Sequence, residues 1–265
     1  MERAVTVYSN ILANYNANEV VAEIKEAMED FDMPEGYTYE FTGEQQQQEE
    51  DMGFLISAFG FAIFLIFIII VTQFNSLISP FIIMLSVLFS TIGVFLGYAT
   101  SGMDISIIFT GVGLVSLAGV VVNNAIVLID YVNLVIKRKY QELGKDNIYG
   151  LTHAQVKAGI IKGGATRLRP VLLTAITTVL GLIPLAIGFN INFFTLISEG
   201  NPNYFLGGDN TAMWGPMAWT VIYGLVFATF LTLVVVPVMF WLAYRFQYWV
   251  KGVGKRNAIR EAQIA

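Results

Sequence analysis

The side chains that could best take part in chemistry lie in one apolar stretch, residues 119–131, whose sequence is GVVVNNAIVLIDY. It places two amides, Asn123 and Asn124, among aliphatic side chains and a carboxylate, Asp130, two helical turns later. Polar groups in apolar surroundings are costly to leave unpaired. Ser116, Asn123 and Asp130 are seven residues apart, so they share a narrow stripe of a helix, which we expect to face neighbouring helices. The polar stripe either forms hydrogen bonds between helices or forms a path for ions, and the spacing alone does not decide between these two functions.

A second polar group follows in a later apolar segment, where Thr174, Thr177 and Thr178 either bond back to their own helix, the commoner case, or face the same polar interior. His153 is the one histidine and has no Cys, Asp or Glu at ligand spacing, so we expect a solvated side chain and no metal site. The sequence contains neither a phosphate-cradling loop nor a nucleophile elbow. We therefore predict a protein that is not an enzyme and needs no cofactor.

Composition identifies the surroundings of these residues as a membrane. Hydrophobic residues make up 55% of the chain and charged residues 13%, with a mean hydropathy of +0.63. Between Asp51 and Asp130 there is no Lys or Arg, and Asp104 is the one acidic residue. Such a stretch must face lipid or apolar protein. The net charge of −5 reflects topology rather than a nucleic-acid partner, because acidic residues concentrate before Phe54.

The fold class predicted is an all-α polytopic membrane protein with a small α/β segment in front. Five apolar windows suit transmembrane helices: 52–71, 80–99, 107–135, 170–189 and 214–244. They form a membrane domain over residues 51–249, with a loop at 137–169 and a tail at 250–265. Residues 1–50 show a strand, helix, strand pattern at 4–10, 19–31 and 37–41, which is too short to bury a good core and indicates part of a larger domain. The polar run 44–51 is either a linker or a helical extension of the first span.

The distribution of basic residues predicts the orientation. Eight Lys and Arg lie between the third and fourth spans and five follow the fifth, which leaves Arg3 and Lys25 for the other side. The positive-inside rule then places loop 137–169 and the tail in the cytoplasm, and the N-terminal segment and loop 190–213 outside it. Thr152 and Gln155 have capping-box spacing and predict a short cytoplasmic helix toward Ile161. The first eleven residues show no signal peptide.

Residues 119–131, followed by RLRPVLLT at 167–174, resemble the resistance-nodulation-division (RND) exporters. Supporting matches are FNS at 74–76, GLIPL at 181–185, VPV at 236–238 and GYTYEFTG at 36–43. Together they cover nearly the whole chain. The resemblance implies the C-terminal end of such an exporter: the last strand-helix-strand element of the porter domain, then the last five of twelve spans.

Members of that family are trimeric inner-membrane antiporters driven by the proton gradient, with a proton site shared between two pseudo-repeated halves. The resemblance implies an Asp pair in the N-terminal half, opposite a Lys at the position of Asn123. Asn124, Arg167 and Thr174 match the family's relay, and we add Asp130 as a candidate. Asn123 departs from the family pattern, because an amide hydrogen-bonds in both states of a carboxylate where a Lys would counter its charge. We expect Asn123 and Asn124 to receive the Asp pair.

The resemblance also implies partners: the lipid bilayer, the N-terminal half of the same transporter, two further protomers of a homotrimer, a periplasmic adaptor and an outer-membrane channel. Export of hydrophobic or amphiphilic compounds is favoured over heavy metals, because methionines are scattered along the chain. Two alternatives stay open. One is a Sec translocation accessory subunit, which the 167–170 stretch and the span count disfavour, and the other is a membrane scaffold without transport.

Overall fold

A computed structural model describes residues 5–10, 17–29, 31, 33–34, 36, 38–76, 78–145 and 147–264. It divides the chain into two units, Met1–Met52 and Gly53–Ala265, which are described separately. The elements in chain order are α1 (Ala17–Glu29), α2 (Glu44–Phe74), α3 (Ile78–Ser101), α4 (Ile107–Glu142), a 3₁₀ turn (Ile148–Gly150), α5 (His153–Ile187), β1 (Phe189–Asn190), α6 (Phe193–Glu199), β2 (Phe205–Leu206) and α7 (Asp209–Ile264).

The first unit contains the predicted helix but not the predicted strands. Helix α1 forms, and Lys25 makes a salt bridge to Glu49 at the start of α2. Residues 5–10 and 38–42 have no regular structure, whereas strands were predicted at 4–10 and 37–41. A strand needs a hydrogen-bonded neighbour, and the side chains of Val5, Val7 and Tyr8 are about nine-tenths exposed, at 89%, 91% and 90%. Residues 4 and 37 lie outside the described residues.

The five predicted spans are confirmed as long apolar helices. Length and composition make five helical segments suitable for crossing a membrane: Gln46–Phe74, Ile78–Ser101, Ile107–Glu142, His153–Ile187 and Asp209–Val250. Because α2 begins at Glu44, the polar run 44–51 is a helical extension and not a linker. The tail predicted at 250–265 is a continuation of α7 up to Ile264.

The fourth span differs from the prediction in where it begins. The capping box of Thr152 and Gln155 is formed, but the helix that it starts continues without a break to Ile187. The short cytoplasmic helix and the span at 170–189 are therefore one helix. The described residues of the predicted 137–169 loop that lie outside α4 and α5 are 143–145 and 147–152, which include the 3₁₀ turn. Pro170 removes one backbone hydrogen bond, which a long helix tolerates.

Helix α7 holds the second unit together by packing on α3, α4 and α5. Gly93 and Gly97 have the four-residue spacing of a small-residue packing motif and let α3 approach α7 closely. A Cβ at Gly93 would clash with the Cβ and ring of Phe227. Tyr98 extends this contact with a buried network, because its hydroxyl donates to the Pro216 carbonyl at 2.8 Å and bonds the Thr220 hydroxyl at 2.9 Å. These contacts fix the apolar scaffold that carries α4.

Candidate functional site

Helix α4 has one buried face and one open face. Its buried face packs Leu117, Val121 and Leu128 into the clusters shared with α3 and α7. Ser116, Asn123 and Asp130 lie on the other side and are exposed on the surface of the chain. No helix among the described residues covers this stripe, so the expectation that it faces neighbouring helices stays a prediction about helices that this chain does not contain. The aliphatic side chains between the polar positions are the ones buried against α3 and α7, so the polar stripe is left exposed.

Asn124 points away from that open face and is joined to α5. Its side chain is buried, with 6% exposure, and its Oδ1 accepts a hydrogen bond from the Thr174 hydroxyl at 3.3 Å. The same hydroxyl lies 2.9 Å from the Val171 carbonyl on its own helix, so its proton is shared between two acceptors. Thr177 and Thr178 bond back to their own helix, the commoner of the two predicted behaviours.

Arg167 makes a second contact between α5 and α4. Its guanidinium carbon lies 4.5 Å from the centre of the Tyr131 ring, within cation–π range. Its Nε is buried and has no hydrogen-bond partner among the described residues. The ion pairs of the described part of the chain are Lys25–Glu49 and Lys139–Glu142, so Arg167 and Asp130 are not paired there. An unpaired buried N–H is costly, and an acceptor brought to it would be bound favourably.

Close approach of the backbones makes both contacts possible. A Cβ at Gly163 would meet Val132 at 2.8 Å from Cγ2 and 3.0 Å from Cα, and one at Gly159 would lie 3.1 Å from Ile136. Gly163 precedes Arg167 by one turn, and Val132 follows Tyr131 directly. Gly159 and Gly163 have the four-residue spacing of a small-residue packing motif. That signal was present in the sequence and marks the α4–α5 contact, which sequence reasoning missed.

The structure thus brings together some of the predicted relay residues. Asn124 is bonded to Thr174, and Arg167 stacks on Tyr131, a residue that the sequence did not single out. Asn123 and Asp130 lie outside both contacts, on the open face. This arrangement combines the positive charge of Arg167, the Thr174–Asn124 hydrogen bond and the exposed polar side chains of Asn123 and Asp130. Groups of these kinds can bind carboxylates and exchange hydrogen-bond partners.

His153 is exposed, as predicted, but it is not isolated. Its ring packs edge-on against Tyr248, with the ring centres 4.7 Å apart, and it also contacts Trp241 and Tyr244. Within the described ranges, no group of three or more His, Cys, Asp and Glu side chains is placed to hold a metal ion.

The Arg167–Tyr131 contact predicts a measurable coupling. In a double-mutant cycle, Arg167→Gln and Tyr131→Leu should show a coupling energy of about 0.5 to 2 kcal/mol in the free energy of unfolding. Unfolding by SDS from detergent micelles measures this quantity. Tyr131→Phe keeps an aromatic face and should retain most of the coupling. A coupling indistinguishable from zero would mean that the two side chains are merely adjacent.

Comparison with known proteins gives the family. The model of the AcrB/AcrD/AcrF family matches residues 1–244, which is nearly the whole chain. The chain belongs to this family of RND permeases. The swarming motility protein SwrC of Bacillus subtilis is 31% identical over 244 residues, covering 91% of this chain and 20% of SwrC. The cobalt-zinc-cadmium resistance protein CzcA of Cupriavidus metallidurans is 27% identical over 239 residues, covering 89% of this chain and 19% of CzcA.

A solved structure supports the fold. The crystal structure of a heavy metal efflux pump superimposes with a TM-score of 0.63 at 23% identity, over 86% of this chain and 19% of the pump. The chain therefore spans about a fifth of the length of the relatives that it matches. The RND resemblance is confirmed, and with it a multi-pass inner-membrane protein of an efflux-permease family. Neither the Sec accessory subunit nor the scaffold finds support in these comparisons.

Proposed function

We propose that this chain is the C-terminal half of the membrane domain of a proton-driven exporter, and that the open face of α4 is one wall of its proton path. The observation that carries the proposal is the exposure of Asn123 and Asp130 on a helix whose opposite face is packed with buried apolar side chains. Membership of the efflux-permease family supports export as the activity of the complete transporter.

An uncovered polar stripe is unstable in a bilayer. A charged side chain near the centre of a transmembrane helix costs about 3 kcal/mol on insertion scales, and polar groups there face protein or water as a rule. A second wall with complementary groups removes that cost. We assign this wall to the N-terminal half of the same transporter, with a carboxylate opposite Asn123. Asn124 is buried and bonded to Thr174, so it does not face this wall, contrary to the expectation from the sequence.

The amide of Asn123 determines how the binding of a proton is coupled to a change in the helices. An ionised carboxylate accepts from the amide N–H, and a protonated one donates to the amide oxygen, so Asn123 stays bonded in both states. Proton binding then acts through desolvation of the carboxylate and rearranged hydrogen bonds, without exchange of an ion pair. The neighbouring Asn124–Thr174 pair passes such a rearrangement from α4 to α5.

Arg167 contributes the fixed charge of the proposed relay. Its free Nε and its position on Tyr131 leave it able to receive a carboxylate without breaking an existing ion pair. A carboxylate that approaches it is favoured in the ionised form, whereas one that moves away is favoured in the protonated form. Asp130, on the open face, is the candidate carboxylate within this chain that delivers or receives the proton at this end of α4.

The distribution of basic residues supports an orientation with the N-terminal segment and loop 190–213 in the periplasm and the C-terminus in the cytoplasm. We further propose that the complete transporter is a homotrimer and works with a periplasmic adaptor and an outer-membrane channel, as the family resemblance implies.

The proposed substrates are hydrophobic or amphiphilic compounds, and metal export is the competing possibility because CzcA is a cobalt-zinc-cadmium resistance protein. The complete transporter in proteoliposomes, energised by a pH gradient, separates the two. We expect transport of an amphiphilic fluorescent dye that stops when a protonophore collapses the gradient, with no transport of Zn²⁺. Transport of Zn²⁺ without transport of the dye would show that the substrates are metal ions and not amphiphilic compounds. Absence of any gradient-dependent transport would refute the exporter.

A further inference from the structure

A cavity of about 430 Å³ lies at one end of the helix bundle. It is bounded by the connection between α2 and α3, the C-terminal part of α4, the 3₁₀ turn and the second half of α7. Its lining includes large apolar side chains, among them Phe74, Ile78 and Phe240. It also includes polar side chains and Lys137, its one charged residue.

The short connection fixes the level of this cavity in the membrane. Helix α2 ends at Phe74 and α3 begins at Ile78, so two successive spans reverse direction within a few residues. Such a turn lies at the membrane surface, because its backbone groups need water or polar partners. Lys137 and Gln247 line the same cavity and therefore lie at the level of the lipid headgroups.

The cavity has hydrogen-bond donors that have no acceptor among the described residues. Tyr244 lines it, is buried with 4% exposure, and its hydroxyl has no hydrogen-bond partner among the described residues. Its ring is held between Tyr149 and Trp241, at 6.5 and 5.7 Å between ring centres. Gln247 accepts a hydrogen bond from Tyr149 at 2.7 Å through its Oε1, which leaves its amide N–H groups as donors. Lys137 forms no ion pair with any described residue.

We propose that this cavity binds one anionic phospholipid. A phosphate accepts hydrogen bonds from the Lys137 ammonium and the Gln247 amide, and it supplies the negative charge that the cavity lacks. The acyl chains lie along Phe74, Ile78 and Phe240. A soluble phosphate would use the polar residues alone, whereas a lipid also covers the apolar ones. The lining thus favours a lipid as the source of the phosphate.

Lipid titration of the full chain in a neutral detergent, followed by native mass spectrometry, tests the site. We expect phosphatidylglycerol to bind about fivefold more tightly than phosphatidylcholine, the factor expected for one basic residue near a charged headgroup. Lys137→Gln should remove this preference, and Lys137→Arg should keep it. Gln247→Leu should weaken phosphatidylglycerol binding about fivefold, the scale of one lost hydrogen bond. Tyr244→Phe should leave binding unchanged, because the Tyr244 hydroxyl oxygen has almost no exposed surface.

Arg138→Gln is the matched control, because Arg138 is exposed, neighbours Lys137 and does not line the cavity. It makes the same change in charge and should leave phosphatidylglycerol binding unchanged. Equal losses of phosphatidylglycerol binding in the Lys137→Gln and Arg138→Gln variants would show that binding depends only on general surface charge, and this would overturn the proposal. Equal binding of the two lipids would also overturn it, as would full competition by glycerol 3-phosphate.

Discussion

Replacement of Asn123 by Leu in the complete transporter abolishes proton-driven export while folding and assembly persist. Asn123 is exposed, and its side chain makes no hydrogen bond to another described residue, so the substitution breaks no such bond within this chain. It removes a group that bonds a carboxylate in both protonation states, and the loss in transport rate should be on the order of a hundredfold or more, the scale of a positioned proton-transfer group. Asn124→Leu should have a similar effect, and it also removes the acceptor of the Thr174 hydroxyl.

Gradient-driven dye transport in proteoliposomes measures this loss, and size-exclusion chromatography checks assembly. Val112→Leu is the matched control, since Val112 is also exposed on α4 and carries no polar group. The control should transport normally. Unchanged export by both the Asn123→Leu and Asn124→Leu transporters would eliminate these amides from the proton path.

Replacement of Gly163 by Val separates α4 from α5 and gives the second large effect. The new side chain would meet Val132, including its Cα, which cannot move aside without shifting the helix. Forcing the helices apart stretches the Asn124–Thr174 hydrogen bond and lifts Arg167 from the Tyr131 ring. We expect a loss of about 2 to 3 kcal/mol in the free energy of unfolding, as for other overpacked contacts, together with loss of export.

Gly164→Val provides a control on the same helix, one position further along. A Cβ at Gly164 meets nothing within 4 Å, so this change alters helix propensity without creating a clash. SDS-induced unfolding should therefore separate the Gly163→Val and Gly164→Val proteins clearly. Similar stability of the two would show that the close approach at Gly163 is not what holds α5 on α4.

The membrane architecture was predictable because a bilayer imposes a minimum length on each span. Runs of about 20 apolar residues identified all five helices. The continuity of α5 was not predictable, because the helix that begins at the Thr152–Gln155 capping box was expected to end near Ile161, and hydropathy placed the basic residues up to Arg169 in a loop. A helix that emerges from the membrane carries basic residues equally well, and hydropathy does not register such an extension. The strands expected near residues 4–10 and 37–41 failed for another reason, since local pattern does not supply a pairing partner.

The candidate site was predictable only in part. Motif resemblance selected Asn124 and Thr174, and the structure joins them. Spacing by seven showed that Ser116, Asn123 and Asp130 share a face, but such spacing does not reveal what covers that face. Tyr131 was missed because a cation–π contact depends on the register between two helices, which one sequence does not give.

Position 123 offers the most direct test that the open face of α4 is covered in the working transporter. The chain has no native cysteine, so an Asn123→Cys substitution places one nitroxide label in it, and oxygen accessibility in a bilayer reports contact with lipid. We predict high accessibility in the chain alone and low accessibility in the complete transporter, where the proposed second wall lies over Asn123. Equally high accessibility in both would show that the stripe faces lipid, and it would contradict the proton path proposed here.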